Sequence, residues 1–267
     1  MEDDDSLYTS VILDALRVSA NYQPKFGIGR RRGVGLNEFR TLYSEDPLYS
    51  WIGLDTPAIY AAHKAAGGIT SIYRQLGIGC ERLFRVIIQD AFRLTESQAS
   101  WEYSVPSPTG GRRTLKLDGR IALDHLPESA ARRRVDEWLQ GFQMKLDVKS
   151  EVRGAVFEVR QGYKSKDSKR QNADLANAAT AYTQRYLPVL IVMSLQFDTD
   201  LRTRYENGKW GVLSGAIDSD DPYYSTYAFC HQVIGYDLGQ FFRRNSDYFR
   251  REVAEIVDTL LEQRRDH

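Results

Sequence analysis

Sulfur is scarce in this chain: two cysteines, Cys80 and Cys230, in 267 residues. Far apart and set among apolar and aromatic neighbours, they make neither a zinc cluster nor a disulfide framework. The pattern predicts reduced, buried thiols in a cytoplasmic protein. Histidine is nearly as sparse. None of His63, His125, His231 and His267 has the spacing of a zinc hydrolase, and His63 and His231 read as packed or surface side chains. The longest apolar run, "LPVLIVMSL" at 187–195, has the length of a buried strand, well short of the ~20 residues that span a bilayer. The opening "MEDDDSLY" has neither the basic nor the apolar stretch of a secretory signal. No serine nucleophile elbow or phosphate-binding P-loop is present, and the glycine cluster at 27–35 follows no convincing strand. Net charge is absent too: 36 basic residues balance 36 acidic ones. That excludes a generic nucleic-acid coat, whose pI usually exceeds ~9. It leaves room for an enzyme that sets a basic cleft against metal-binding carboxylates.

The sequence does carry strong periodicity. Helical spacing predicts a first helix over 7–18, and a second opening "TPAIYAAHKAAGG" at Thr56 and stopping at Gly67 and Gly68. After "GIG", apolar residues at 83, 84, 87, 88, 91 and 92 predict a third helix with one buried face. "SWEYSVPS" and "RTLKLDGRIAL" read as a hairpin around "PTGG", and residues 128–142 as a helix. "KLDVKSEV" and "GAVFEVRQGY" read as two further strands, residues 168–186 as a helix, and "LPVLIVMSLQ" as a central strand apolar on both faces. A strongly amphipathic helix closes the chain, after an aromatic-rich stretch from Trp210 to Phe242. The expected fold is a mixed α/β core with helices on both faces. Its regions are a helical part at 1–76, a core at 77–197 and a C-terminal part at 198–267.

Three carboxylates fall in order on this framework. Glu81 lies on the third helix, Asp118 in "KLDGRI" at the end of a hairpin strand, and Glu158 on the strand "GAVFEVR". Alternation puts Val156, Glu158 and Arg160 on one strand face and Phe157 and Val159 on the other. Carboxylates on adjacent strands can converge on Mg²⁺, which takes oxygen ligands and keeps several waters. A solvated edge residue or a simple ion pair is the competing reading of Glu158. The loop that follows is dense in cations. Lys164, Lys166, Lys169 and Arg170 can neutralise phosphates, Ser168 and the helix start can donate to them, and Gln171 can face a metal or a phosphate. The other basic clusters, Arg30–Arg32, Arg112–Arg113, Arg132–Arg134 and Arg243–Arg244, read individually as solvated surface. Arg204, Asn207 and Lys209 are of types that read base edges.

A helix with Glu, a hairpin with Asp, a strand with Glu-x-basic, a helix and a buried strand, in that order over 77–197, resemble the PD-(D/E)XK nuclease superfamily. "FEVRQGYKSKDSKRQNAD" is similar to the E-V-K-x-G-Y-K-S stretch of some type II restriction endonucleases in it. The resemblance implies that Asp118 and Glu158 ligate Mg²⁺, with Glu81 in support, and that a basic residue orients the attacking water. The chain departs from the pattern in two places. Leu117 stands where many members have proline, and Arg160 stands where they have lysine. Arginine keeps its proton at any working pH, so it can orient water or hold phosphate but cannot act as a base. Lys164 fills the lysine role if the strand bends at Gly162, and Lys149 does so if the triplet Asp147-x-Lys149 is the site. The implied function is site-specific cleavage of double-stranded DNA by a homodimer. A repair or recombination nuclease on the same core, or a DNA-binding protein with a degenerate site, is the alternative.

Overall fold

The computed structural model describes residues 2–26, 32–106, 110–162 and 168–261. Its backbone divides into two compact units, Met1–Gly79 with Asn245–His267, and Cys80–Arg244.

The first unit is helical. Helix α1 (Glu2–Arg17) buries Tyr8, Ile12, Leu13, Ala15 and Leu16 along one stripe. Helix α2 (Leu36–Ser44) and the short α3 (Pro47–Trp51) follow. The Asp46 carboxylate caps α3, accepting from the amides of Leu48 and Tyr49 at 3.0 and 3.2 Å. Phe26, Phe39, Tyr43 and Tyr60 form a ring cluster, and His63 joins it edge-on to Phe26 while itself exposed. Helix α4 runs from Pro57 to Phe92 without a break, contributing to this unit as far as Gly79. The glycines at 67, 68 and 79 thus do not end it. They are sites of close approach: a Cβ at Gly67 would lie 2.0 Å from the Tyr22 hydroxyl, one at Gly68 3.0 Å from Leu260, and one at Gly79 3.2 Å from the backbone of Ile12.

The second unit holds the sheets. After α4 comes a one-turn helix α5 (Glu96–Ala99), started by a capping box between Thr95 and Gln98. Strands β1 (Trp101–Pro106) and β2 (Arg112–Leu117) form a two-stranded antiparallel sheet. Asp118 interrupts the chain, and β3 (Gly119–Ala122) begins a second sheet. Helix α6 (Ala130–Lys145) leads to β4 (Gly154–Arg160), helix α7 (Ser168–Thr183) to β5 (Leu187–Val192), and helix α8 (Thr199–Asn207) to β6 (Gly211–Leu213). The order in the sheet is β3-β4-β5-β6, with β3 antiparallel to β4 and the rest parallel. Every residue of β4 and β5 is buried, as strands covered on both faces must be. Two short helices, α9 (Thr226–Phe229) and α10 (Leu238–Arg244), complete this unit. Helix α11 (Ser246–Leu261) belongs to the first. Among the described residues no helix is both long and apolar enough to cross a membrane.

The two faces of β4 have different covers. Phe157 packs on Phe84 of α4 at 5.1 Å between ring centroids, on Trp138 of α6 at 6.4 Å and on Phe229 of α9 at 5.9 Å. Val156 faces a cluster made by Ala178 and Ala181 of α7, Tyr205 of α8, and Trp101, Tyr103 and Leu117 of the small sheet. Both cysteines are free and buried. Burial pushes the Cys80 and Cys230 thiols up to about 12.

The segment "KLDVKSEV" is a turn, where alternation had suggested a strand. The amides of Asp147 and Val148 return to the carbonyls of Met144 and Gln143 at 3.2 and 2.8 Å, and Asp147 adopts a positive φ of 49°. These bonds close the end of α6 and leave β4 to begin at Gly154. A Cβ there would stand 2.2 Å from the Ile121 carbonyl, so only glycine lets β3 approach this closely.

Candidate functional site

Asp118 is tied to the strand that carries Glu158. The antiparallel register of β3 on β4 runs from Ala122 opposite Gly154 to Gly119 opposite Phe157. The ladder continues through Asp118 itself. Its amide donates to the Phe157 carbonyl at 2.7 Å, and its carboxylate oxygen Oδ2 accepts from the Val159 amide at 2.8 Å. A side chain thus fills a rung normally made by backbone. The Asp118 carbonyl accepts from Arg85 Nε at 2.8 Å. Arg85 and Glu81 lie one turn apart on α4, both half-buried, and so share a helix face.

Glu158 is 8% exposed and forms an ion pair with Arg160, also 8% exposed. Alternation along β4 puts the two side chains on one face, and their opposite charges join there. The same guanidinium nitrogen, Nη2, lies 3.3 Å from Asp174 Oδ2 on α7. Asp174 is 5% exposed, and its Oδ2 also accepts from the hydroxyl of the fully buried Tyr205 at 2.6 Å. Helix α7 is fixed one turn further on, where Tyr103 donates to Asn177 Oδ1 at 2.6 Å. The result is a buried chain from Glu158 through Arg160 and Asp174 to Tyr205. Buried charges are tolerated when paired and hydrogen-bonded in this way.

The remaining expected site residues are dispersed. Lys164 and Lys166 lie outside the described residues. Ser168, Lys169, Arg170 and Gln171 form the first turn of α7, with their side chains outside what is described. The segment that holds these cations starts directly beyond the end of β4, two residues after Arg160. Arg204 and Asn207 are exposed on α8. Lys209 lies just before β6, at the N-terminal end of the parallel strands, whereas Glu158 and Arg160 are at the C-terminal end of β4. Its Nζ donates to the Leu146 carbonyl at 2.7 Å, and its own carbonyl accepts from the Tyr182 hydroxyl. The Asp147-x-Lys149 triplet sits in the turn after α6, with both residues exposed. Within the Arg132–Arg134 cluster, Arg134 donates to the Val233 carbonyl at 3.3 Å and Arg132 to the Leu126 carbonyl at 3.2 Å, so two of these cations tie the fold together.

The donor set fits a hard divalent cation. Mg²⁺ needs only one or two carboxylates and completes its shell with water. Asp118, bonded to Phe157 and Val159, and Glu158 between those residues offer two. Among the described residues no group of three or more His, Cys, Asp and Glu side chains is assembled around one point, so water would make up the remainder. Asp174 and Tyr205 were not singled out from the sequence. Asp174 lies in the same stretch as Arg160 but 14 residues away, and Tyr205 is 31 residues further on. Arg85 carried one sequence signal, its position one turn after Glu81. Compared with protein-family models, curated proteins and solved structures, the chain matches none.

Proposed function

We propose that this chain is a magnesium-dependent endonuclease that hydrolyses phosphodiester bonds in double-stranded DNA. Within that class we assign it to the site-specific restriction type, acting as a homodimer on a two-fold symmetric target. One observation carries the reading: Asp118 is hydrogen-bonded to Phe157 and Val159, the two neighbours of Glu158 on β4, and a stretch rich in lysine and arginine follows in the sequence. The order of α4, the β1–β2 hairpin, β3, β4, α7 and β5 supports it.

When bound, Mg²⁺ activates water and stabilises charge on the scissile phosphate. Asp118 and Glu158 would hold it. The Val159 amide orients the Asp118 carboxylate, and Arg85 fixes the Asp118 backbone. Arg160 offsets the charge of Glu158 and keeps its proton, so it takes no part as a base. Lys164, Lys166, Lys169 and Arg170 would neutralise phosphates along the backbone.

The test is incubation of the full chain with phage DNA, in Mg²⁺ or in EDTA. Discrete fragments in Mg²⁺ alone are expected; a smear points to a general repair-type nuclease. A second reading is favoured by the ion pair between Glu158 and Arg160, which already neutralises one of the two candidate ligands. On that reading the chain binds DNA without cutting it. Intact DNA with a gel shift would select it and sink the enzyme.

A further inference from the structure

We propose that Asp174 and Tyr205 are positioning residues, which hold Arg160 when Glu158 turns its carboxylate to a divalent cation. The inference rests on the reading of Asp118 and Glu158 as the metal pair. One guanidinium nitrogen, Arg160 Nη2, touches a carboxylate on either side, Glu158 on its own strand and Asp174 on α7. The two seats are unlike. Glu158 lies between Phe157 and Val159, the two residues of β4 to which Asp118 is hydrogen-bonded, whereas Asp174 is 5% exposed and its oxygen is fixed by the hydroxyl of fully buried Tyr205 at 2.6 Å. Charge balance gives the arrangement its use. A cation takes the negative charges of Asp118 and Glu158, which leaves the permanent charge of Arg160 to be matched. Asp174 matches it in place. Without Asp174, Arg160 competes with the metal for Glu158 and repels it.

The experiment is calorimetric titration of the full chain with Mn²⁺, a cation that carboxylate and water sites accept in place of Mg²⁺. Circular dichroism melting checks that each variant is folded. Asp174→Asn should weaken Mn²⁺ binding by about 10- to 100-fold, the usual cost of removing a group that orients a ligand. Tyr205→Phe, which removes only a hydroxyl, should weaken it less and in the same direction, and it carries the test if Asp174→Asn fails to fold. In an Arg160→Gln background, Asp174→Asn should cost nothing, because the competitor is gone. Unchanged affinity in both variants, or a loss of the same size with and without Arg160, overturns the proposal. If the wild-type chain takes no Mn²⁺, or takes it equally well as Glu158→Gln, the metal pair itself is refuted, and that result is distinct from the others.

Discussion

The two faces of β4 solve opposite problems with one strand. On one side Phe157 meets Phe84, Trp138 and Phe229, and the packing is apolar throughout. On the other, Glu158 and Arg160 are buried too, but are kept there by Asp174 and Tyr205. The first arrangement is what stability alone favours. Full burial of a Phe contributes about 1.5–3 kcal/mol, whereas a buried ion pair is often no better than an apolar pair of the same volume. A charged network on a strand that could have been apolar on both faces is therefore better explained by use than by folding.

Four changes would break or sharpen that contrast. The largest effect belongs to the apolar face: Phe157→Ala should cost about 3–5 kcal/mol in urea unfolding, with the cavity walled by three rings. Next is alkaline pH, which acts on two buried thiols of the same unit. Cys230 follows Phe229, and Cys80 lies one turn before Phe84. Burial raises both thiols from 9.0 to about 12, so the folded state favours the protonated form. Stability should be full below pH 9 and fall as pH rises toward 12. The loss should reach roughly 3 kcal/mol for the two thiols together by pH 10, read from urea midpoints. On the ionic face the cost in stability is smaller. Glu158→Gln should lose about 1–3 kcal/mol, because Arg160 keeps Asp174, yet it should abolish Mg²⁺-dependent DNA cleavage and leave the gel shift intact. Unchanged cutting by this variant would refute the assigned site. Smallest of all, Tyr205→Phe should lower stability by about 1 kcal/mol, one hydrogen bond's worth.

Much of this contrast was legible in residue order. Alternation along "GAVFEVR" correctly separated Phe157 and Val159 from Glu158 and Arg160, and the unbroken apolar run at 187–192 marked a strand covered on both faces. Local signals misled where tertiary contacts outweighed them. Gly67 and Gly68 read as a helix stop, but they sit inside a continuous α4 where Tyr22 and Leu260 pack closely against the helix. "KLDVKSEV" alternates like a strand, but the end of α6 draws it into a turn. The pairing of Glu158 with Arg160 was open to the sequence, but Asp174 and Tyr205 behind it were not, because an aspartate on a helix and a tyrosine beyond the next strand become neighbours only when β4 and β5 align. Asp118 was visible as a carboxylate beside a glycine. Its bond to the Val159 amide was not, because that depends on the break between β2 and β3.

That bond makes the protein its own indicator. The Val159 amide proton rests on Asp118 Oδ2, so its nuclear resonance is tuned by whatever else that carboxylate holds. A single isotope-labelled valine would therefore report, from the buried strand outward, the arrival of any ion at Asp118, with no probe attached and no DNA in the tube.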